Sequence, residues 1–274
     1  MIVFPNAKIN LGLNVVSRRT DGYHEIETVF YPINWTDALE VNKSEILDFN
    51  STGIEIPGVG ANNLCVKAYK LIMNVFSLEP INIHLHKNIP IGAGLGGGSA
   101  DGAFMLLLIN EFFNLKMSNE QLKLIAKELG ADCAFFLENQ PSFAKGIGNE
   151  FEEVLVNLSE YKLVVAYPNI HVDTGWAYSK INPKPSEISV KHVINNYSIS
   201  DWKEYLKNDF EEPVFKEFPT IKQLKETMYE NNAVYASMSG SGSTVFGLFN
   251  TNNTLEELML HFNSQSYQYR ILDL

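Results

Sequence analysis

A glycine-rich stretch, residues 90–101, constrains this 274-residue chain more than any other segment. It reads Pro-Ile-Gly-Ala-Gly-Leu-Gly-Gly-Gly-Ser-Ala-Asp and is followed by an apolar run over residues 104–109. Five glycines within seven residues leave a backbone that folds closely around another group, and the apolar run predicts a buried helix. Free N–H groups at such a helix start, on the positive end of its dipole, are typical of a phosphate-binding site.

Other kinds of glycine-rich loop fit the stretch less well. A Gly-x-Gly-x-x-Gly spacing begins at Gly92, but the strand-like residues 81–85 lie too far before it for a dinucleotide-binding turn. A helix-capping box at residues 118–121 stands where the acidic residue of that fingerprint belongs. The Gly-Lys-Ser or Gly-Lys-Thr of a Walker loop is absent from the sequence, and a flexible linker lacks an apolar helix behind it. The stretch therefore favours a third kind of phosphate loop, with serine at the helix start.

Hydrophobic periodicity predicts a mixture of strands and helices. Apolar residues alternate over residues 7–16, and an Asp-Gly turn at 21–22 leads to a second strand over 25–32, which indicates a hairpin-like start. Since the elements do not alternate as regular βαβ units, we expect an α+β fold of two domains, residues 1–155 and 156–274. Further expected elements are helices at 64–75, 99–113, 118–129, 202–210, 221–231 and 255–262, strands at 81–85, 163–166, 233–238, 245–249 and 269–272, and a surface excursion over 182–200.

The charge of the chain disfavours nucleic acid as a partner. Net charge is −11, from 21 basic and 32 acidic residues, and no basic stripe offsets it. Such a surface also repels nucleotides, so a phosphate site must use local features. Backbone N–H groups, a helix terminus and individual lysines such as Lys8 and Lys87 are the candidates.

The compartment is expected to be the cytoplasm. No run of about 18 apolar residues occurs, and the first residues lack the basic and small-residue pattern of a signal peptide. We therefore expect no membrane partner. Cys65 and Cys133 are far apart without the spacing of metal ligands, so we expect reduced, buried side chains.

Three further segments concentrate polar residues. Lys8 and Asn10 share one face of the first strand, where they either point to water or serve a site. Asp132 lies between a helix stop and an expected aromatic strand, as either a helix cap or a functional carboxylate in a partly buried cleft. The serine- and glycine-rich residues 239–244 form either a tight strand connection or a turn that closes over phosphate.

The order of these motifs resembles that of the GHMP kinase superfamily of ATP-dependent small-molecule kinases. An amino-terminal lysine segment, the central glycine loop and a carboxy-terminal glycine turn follow one another as in that superfamily. The segments that carry the resemblance are Pro-x-Ala-Lys-Ile-Asn at 5–10, Arg-x-Asp-Gly-Tyr-His-Glu at 19–25, Gly-Leu-Gly-Gly-Gly-Ser at 94–99, Leu-Gly-Ala-Asp at 129–132 and Ser-Gly-Ser-Gly at 239–242.

The resemblance implies an ATP-dependent kinase with a ribosomal protein S5 domain 2-like domain over 1–155 and a ferredoxin-like domain over 156–274. The first would bind ATP and carry the catalytic groups, and the second would contribute to substrate binding. By the same resemblance, Asp132 is the general base, Lys8 lies beside it, and Mg²⁺ accompanies ATP. The residues implied to bind ATP are Lys87, Pro90, Ile91, Gly92, Ala93, Gly94, Leu95, Gly96, Gly97, Gly98, Ser99 and Ala100.

The segment at 19–25 resembles that of superfamily members whose acceptor is a cytidine diphosphate-linked methylerythritol. This likeness implies phosphorylation of the 2-hydroxyl of that small molecule, in the non-mevalonate route to isoprenoid precursors. A tyrosine of the segment would stack on the cytosine. The residues implied to bind the acceptor are Asn10, Tyr23, His24, Asp132 and Tyr178, with Trp176 as the alternative to Tyr178.

Other assignments stay open at this point. Another GHMP kinase, acting on homoserine, mevalonate or a sugar, or a catalytically silent nucleotide-binding protein of the same fold shares the glycine loop. The presence of Lys8 and Asp132 argues against a silent protein. Ala134 and Asn149 replace the proline and glutamate usual in the family, and we expect these differences to affect the local backbone more than the chemistry. We expect a monomer or a weak homodimer, and the sequence does not identify the metal ligands, Ser99 being a candidate for phosphate or Mg²⁺.

Overall fold

The computed structural model of the chain describes residues 1–58 and 60–274, apart from the side chain of residue 61. The strands are β1 (Ile2–Val3), β2 (Asn6–Arg18), β3 (His24–Thr36), β4 (Ala38–Lys43), β5 (Asp48–Gly53), β6 (Ile81–Lys87), β7 (Ser142–Lys145), β8 (Glu150–Glu153), β9 (Tyr161–Tyr167), β10 (Tyr235–Met238), β11 (Val245–Asn250) and β12 (Gln268–Asp273). The α-helices are α1 (Leu64–Met73), α2 (Gly97–Phe112), α3 (Asn119–Leu129), α4 (Cys133–Glu138), α5 (Thr174–Lys180), α6 (Val190–Asn196), α7 (Trp202–Tyr205), α8 (Glu211–Glu217), α9 (Pro219–Glu230) and α10 (Glu256–Ser264). The expected α+β class is confirmed.

The chain divides by its contacts into two units. The first comprises Met1–Ala7, Asn34–Ile91 and Gly96–Gln140, and the second comprises Lys8–Ile33, Gly92–Leu95 and Pro141–Leu274. The assignment of functional domains to residues 1–155 and 156–274 stays a prediction.

The first unit combines a sheet with a group of helices. Its strands lie in the order β1-β4-β6-β5, with β5 parallel to β6 and the other pairs antiparallel. Helix α2 packs against α1, α3 and α4 and is buried along most of its length, as its apolar sequence predicts. Helix α3 begins with the predicted capping box, in which Ser118 and Gln121 exchange side-chain to backbone hydrogen bonds.

The second unit contains two four-stranded sheets. One has the order β2-β3-β7-β8, so the predicted first two strands are neighbours. The other has the order β10-β11-β9-β12 and is antiparallel throughout. Numbered within this region of the chain, that order is 2-3-1-4, the arrangement of a ferredoxin-like sheet. Helices α9 and α10 contribute Leu224, Met228, Leu258 and Phe262 to the apolar core of this unit.

The apolar segment after Asp132 is a helix, and the expected aromatic strand is wrong. Residues Cys133–Glu138 form α4, whose side chains from Cys133 to Leu137 are buried. A short apolar run has no period long enough to separate a buried strand from a buried helix. Packing of α4 against α2 and α3 decides in favour of the helix.

The helix expected over 202–210 begins at Trp202 as predicted but ends at Tyr205, so its predicted extent is wrong. Leu206 adopts an extended backbone, and the following residues bond to strand β2. Leu13 N donates to Lys207 O at 2.8 Å, and Asp209 N donates to Leu13 O at 2.8 Å. These partners satisfy the backbone groups that a longer helix would have used.

The surface excursion expected over 182–200 holds a buried helix. The side chains of Val190, Val193 and Ile194 in α6 are buried. The polar residues around them gave no indication that this segment packs into the protein. No helix within the described residues is long and apolar enough to cross a membrane.

Both cysteines are buried free thiols, as predicted. Burial raises the pKa of Cys133 to about 12, while a hydrogen bond with Ser99 opposes the rise. A thiol with so high a pKa stays protonated and unreactive at neutral pH.

Candidate active site

The glycine loop opens helix α2 without a side-chain cap. Gly96 occupies the N-cap position with a φ of 70° and makes no capping hydrogen bond through a side chain. The first N–H groups of α2 are therefore not satisfied by a capping side chain. A Cβ placed on Gly98, the second residue of the helix, would meet no heavy atom within 4 Å. The start of the helix is therefore open to a ligand at this residue.

Position 94 has no room for a side chain, because the backbone of Ser239 lies directly against Gly94. A Cβ at this position would lie 2.0 Å from Ser239 O, and its φ of 80° disfavours other residues. Ser239 Oγ donates to Gly94 O at 2.8 Å and accepts from Asn10 N at 3.3 Å. The neighbouring Leu95 O accepts from Lys8 N at 2.9 Å. The lysine segment, the tip of the glycine loop and the carboxy-terminal turn therefore meet within the second unit.

The carboxy-terminal turn is held by a residue that sequence reasoning missed. Asn208 is 3% exposed, and its Nδ2 donates to Met238 O at 2.7 Å and to Gly240 O at 2.8 Å. Thr244 N in the same turn donates to Ala93 O at 3.2 Å. The side chain of Asn208 thus holds the first part of the Ser-Gly turn. Its position in an apparently helical polar segment gave no signal of this contact.

Lys8 and Asn10 are buried, so of their two interpretations the one in which they point to water is wrong. They are 4% and 1% exposed. Lys8 Nζ donates to Asn10 Oδ1 at 2.6 Å and lies 4.7 Å from the ring centroid of Phe30. Asn10 Nδ2 in turn donates to Thr28 Oγ1 at 2.9 Å on the next strand. A buried ammonium held in this way is a fixed positive charge for an anionic ligand.

Asp132 stands at the N-cap position of α4 but does not cap it. Its side chain makes no hydrogen bond to the first turn of its helix, and it is half-buried. Of the two interpretations, a helix cap is therefore wrong. A carboxylate next to a buried helix, with part of its surface open to solvent, can accept a proton from a bound hydroxyl group.

Lys87 lies between two carboxylates in the first unit. Its Nζ donates to Asp37 Oδ2 and, at 2.7 Å, to Asp101 Oδ2. All three side chains are buried, with 3%, 1% and 3% exposure for Lys87, Asp37 and Asp101. Sequence reasoning missed both carboxylates, because they lie 50 and 14 positions from the lysine and no local pattern pairs them.

The Arg-x-Asp-Gly-Tyr-His-Glu segment folds into a turn closed by ion pairs. The guanidinium of Arg19 contacts Asp21 at 3.0 Å and Glu25 at 3.1 Å. Asp21 Oδ1 accepts from Tyr23 N at 3.1 Å, and Tyr23 O accepts from Arg19 N at 2.8 Å. The ring of Tyr23 is 61% exposed. The ion pairs of Arg19 thus stabilise a turn on which Tyr23 is exposed to solvent.

His24 and Tyr178 lie together. Their rings stack with centroids 4.8 Å apart and planes 19° from parallel, and Phe210 meets Tyr178 edge-on at 4.8 Å. Burial, with a smaller contribution from Arg18, lowers the pKa of His24 and so favours the neutral imidazole. Trp176 packs edge-on against Phe218 at 5.7 Å instead.

A separate cleft of about 870 Å³ in the second unit has a mixed lining of lysines and carboxylates. Trp176 and Asn208 contribute to its wall, whereas Lys8, Asn10 and Tyr178 do not. We therefore assign neither ATP nor an acceptor to this cleft.

The donor groups fit ATP better than they fit a metal ion alone. Uncapped N–H groups at the start of α2, together with glycines that admit close approach, match phosphate oxygens. Within the part of the chain that the structure describes, no cluster of three or more His, Cys, Asp or Glu side chains could hold a metal ion. Since Mg²⁺ commonly binds through substrate phosphates with one or two protein oxygens, this arrangement fits Mg²⁺ carried by ATP.

Two family models match the chain. The model of the GHMP kinases N terminal domain matches residues 63–140, and that of the GHMP kinases C terminal region matches residues 194–268. Together they cover more than half of the chain.

Curated relatives extend the similarity to nearly the whole chain. A 4-diphosphocytidyl-2-C-methyl-D-erythritol kinase of Bacteroides thetaiotaomicron is 51% identical over 261 residues, covering 94% of this chain and 95% of the relative. The kinase of the same name from Chlorobium limicola is 39% identical over 272 residues, covering 97% of this chain and 94% of the relative.

Solved structures share the fold. A crystal structure of 4-(cytidine 5'-diphospho)-2C-methyl-D-erythritol kinase matches with a TM-score of 0.80 and 28% identity, covering all of both chains. The mevalonate kinase of Methanococcus jannaschii matches with a TM-score of 0.74 and 16% identity, covering 100% of this chain and 98% of the other, which shows the fold alone. The chain therefore belongs to the GHMP kinases and, within them, to the 4-diphosphocytidyl-2-C-methyl-D-erythritol kinases.

Proposed function

We propose that this chain transfers the γ-phosphoryl group of ATP to the 2-hydroxyl of 4-diphosphocytidyl-2-C-methyl-D-erythritol, in the non-mevalonate route to isoprenoid precursors. The observation that carries the proposal is the meeting of three family motifs at Ser239, whose hydroxyl contacts both Gly94 O and Asn10 N. Such an arrangement preforms a phosphate-binding loop beside a buried lysine. We expect the chain to act in the cytoplasm as a monomer or a weak homodimer.

The glycine loop holds the phosphates of ATP. The open space at Gly98 and the uncapped start of α2 offer backbone N–H groups and a helix dipole to a polyanion. These groups carry no net charge of their own, so they bind phosphate without adding to the charge of the protein. Mg²⁺ would be carried by the nucleotide, and the hydroxyl of Ser99, in the first turn of α2, would be available to a phosphate oxygen or to that ion.

Asp132 and Lys8 act on the acceptor and on the transferred group. Asp132 accepts the proton of the 2-hydroxyl while the oxygen of that hydroxyl bonds to the γ-phosphorus of ATP. The bond between the γ-phosphorus and the β,γ-bridging oxygen breaks in the same step, and ADP leaves. The ammonium of Lys8 stabilises the negative charge on the transferring phosphoryl group. A loose phosphoryl-transfer transition state depends more on such positioning and charge stabilisation than on a strong base.

The cytidine diphosphate end of the acceptor binds to the aromatic side chains of the second unit. Tyr23 offers an exposed ring on a turn that Arg19 closes by ion pairs, and Tyr178 offers a ring already packed against His24. Stacking on aromatic rings is a strong and common mode of base recognition. Asn10 and His24 contribute hydrogen bonds to the same end.

Substitution of Asp132 by asparagine tests the catalytic assignment. A general base contributes about 10²–10⁴-fold to a rate, so we expect Asp132→Asn to lower kcat by a factor in that range. Binding of ATP should be retained, because the carboxylate acts on the acceptor. Asp48→Asn, on the exposed strand β5, serves as the matched control and should behave as wild type. Turnover by Asp132→Asn at the wild-type rate would remove Asp132 from the mechanism.

A coupled assay of ADP release identifies the acceptor. Three reactions are run in parallel, with 4-diphosphocytidyl-2-C-methyl-D-erythritol, homoserine and mevalonate. We expect turnover with the first alone. Turnover with homoserine or mevalonate would assign the chain to another GHMP activity, and nucleotide binding without turnover on any acceptor would identify a silent nucleotide-binding protein.

A further inference from the structure

We propose that Asp37, Lys87 and Asp101 form a buried clamp that fixes the two ends of the glycine loop, and that Lys87 supports ATP binding through this clamp without touching the nucleotide. The three side chains are then positioning residues. Their role presupposes ATP as the phosphoryl donor of the proposed function.

Asp37 fixes the entry to the loop. Its Oδ1 accepts from Asn88 N at 2.6 Å and from Ile89 N at 2.8 Å, the two residues that precede Pro90. Its Oδ2 accepts from Lys87 Nζ. One buried carboxylate therefore holds three consecutive residues at the end of β6. A carboxylate that accepts several hydrogen bonds, including charged ones, is a rigid support for a loop.

Asp101 fixes the exit from the loop. It lies on α2, four residues after the helix begins at Gly97, and accepts from Lys87 Nζ at 2.7 Å. A Cβ on Gly97 would lie 3.0 Å from Lys87 Nζ and 2.9 Å from a methyl carbon of Ile89. The absence of a side chain at Gly97 thus lets the lysine and the end of β6 lie against the first residue of α2. The entry and the exit are joined through one ammonium group.

The ammonium of Lys87 also offsets negative charge beneath the loop. Without it, two buried carboxylates would face the helix start that binds phosphate. The second oxygen of Asp101, Oδ1, is buried and has no hydrogen-bond partner. Burying an oxygen without a hydrogen-bond partner is unfavourable, yet Asp101 is buried in this way while its other oxygen contacts Lys87.

Direct contact between Lys87 and ATP would require the clamp to open. The side chain is 3% exposed, and its ammonium already donates to two carboxylates. Removing one partner from a buried ion pair is strongly unfavourable, because the remaining charge stays buried without compensation. The lysine therefore acts on the nucleotide through the backbone that it holds.

The test measures nucleotide binding and turnover in variants of each member of the clamp. Asp37→Asn, Asp101→Asn and Lys87→Met are compared with Lys67→Met and Asp48→Asn, exposed residues of the same unit. Titration calorimetry gives the Kd of ADP in the absence of acceptor, and steady-state kinetics give KM for ATP, KM for the acceptor and kcat. We expect each clamp variant to weaken ADP and ATP about tenfold or more, since small displacements of a binding loop are costly. KM for the acceptor should stay near the wild-type value, and both controls should match wild type.

Two outcomes would overturn the clamp. If Asp37→Asn and Asp101→Asn bind ADP as wild type while Lys87→Met does not, the lysine contacts the nucleotide itself. If the acceptor KM rises as much as the ATP KM, the residues support the whole fold and not the loop. Asp101→Asn preserves the shape of the side chain, so it decides the question even if Lys87→Met does not fold. Lys87→Met/Asp101→Asn should bind ADP no worse than Lys87→Met alone, because the two residues act as one unit.

The test separates failure of the clamp from failure of the proposed function. A wild-type chain that binds ADP but does not phosphorylate 4-diphosphocytidyl-2-C-methyl-D-erythritol contradicts the proposed function. The Kd of ADP in the variants still decides on the clamp, since that measurement needs no acceptor.

Discussion

Substitution of Gly98 by alanine should increase stability while weakening nucleotide binding. Gly98 lies inside the first turn of α2, outside the left-handed region, and a Cβ there would meet nothing within 4 Å. Packing and backbone geometry therefore do not require a glycine at this position. Alanine in place of a helical glycine stabilises by about 0.5–1 kcal/mol. In a chain of this size, that corresponds to a rise in Tm of roughly 2 °C.

The same methyl group would occupy the space in which a phosphate approaches the helix start. Loss of one hydrogen bond to a charged group costs about 1.5–3 kcal/mol, so Kd for ADP should rise roughly 10- to 100-fold. Gly94→Ala provides the comparison. Its Cβ would lie 2.0 Å from Ser239 O at a φ of 80°, so this variant should lose both stability and nucleotide binding.

The assay combines a thermal melt with calorimetric titration of ADP, for wild type, Gly98→Ala and Gly94→Ala. The expected result is a higher Tm with weaker binding for Gly98→Ala. A Gly98→Ala variant that binds ADP as tightly as wild type would refute the placement of phosphate at the start of α2. A lower Tm for this variant would refute the claim that the glycine is unnecessary for folding.

Two further predictions concern the acceptor and the dependence on pH. Arg19→Gln should raise KM for the acceptor about two- to threefold and leave KM for ATP unchanged, because its exposed ion pairs shape the turn of Tyr23. Arg270→Gln, at an exposed arginine of β12, is the control, and equal effects of the two substitutions would refute the prediction. The pKa of Asp101 is raised from 3.8 to about 8 in the folded chain. Between these two values the folded chain holds a proton that the unfolded chain has lost, so the contribution of this group to the free energy of unfolding falls as pH rises. Urea unfolding at several pH values should show that the free energy of unfolding falls less with rising pH in Asp101→Asn than in wild type. Parallel curves of unfolding free energy against pH for the two proteins would contradict the raised pKa.

Local patterns predicted the elements that local interactions determine. The capping box at Ser118 and the alternation over β6 each depend on residues a few positions apart, and both are present. The glycine loop and helix α2 were predicted for the same reason. Where two conformations satisfy the same short pattern, as in the apolar run of α4, packing decided and the prediction of a strand was wrong.

Contacts between distant segments were not predictable from pattern. The burial of Lys8 depends on β3, which provides Phe30 and, through Asn10, the hydroxyl of Thr28. Asn208 interrupts an apparently helical segment because nearby backbone groups bond to β2, and its side chain then reaches the turn at Gly240. A single sequence carries no information on which distant residues pair, so such supports became visible only in the structure.

One measurement tests the central claim most directly. Wild-type protein is incubated with ATP, Mg²⁺ and 4-diphosphocytidyl-2-C-methyl-D-erythritol, and the products are followed by ³¹P NMR. We predict a new phosphomonoester resonance from the 2-position of the acceptor, with ADP formed in equal amount and the diphosphate of the acceptor left intact. ADP formation without that resonance, or a phosphomonoester at another hydroxyl, would contradict the proposed reaction.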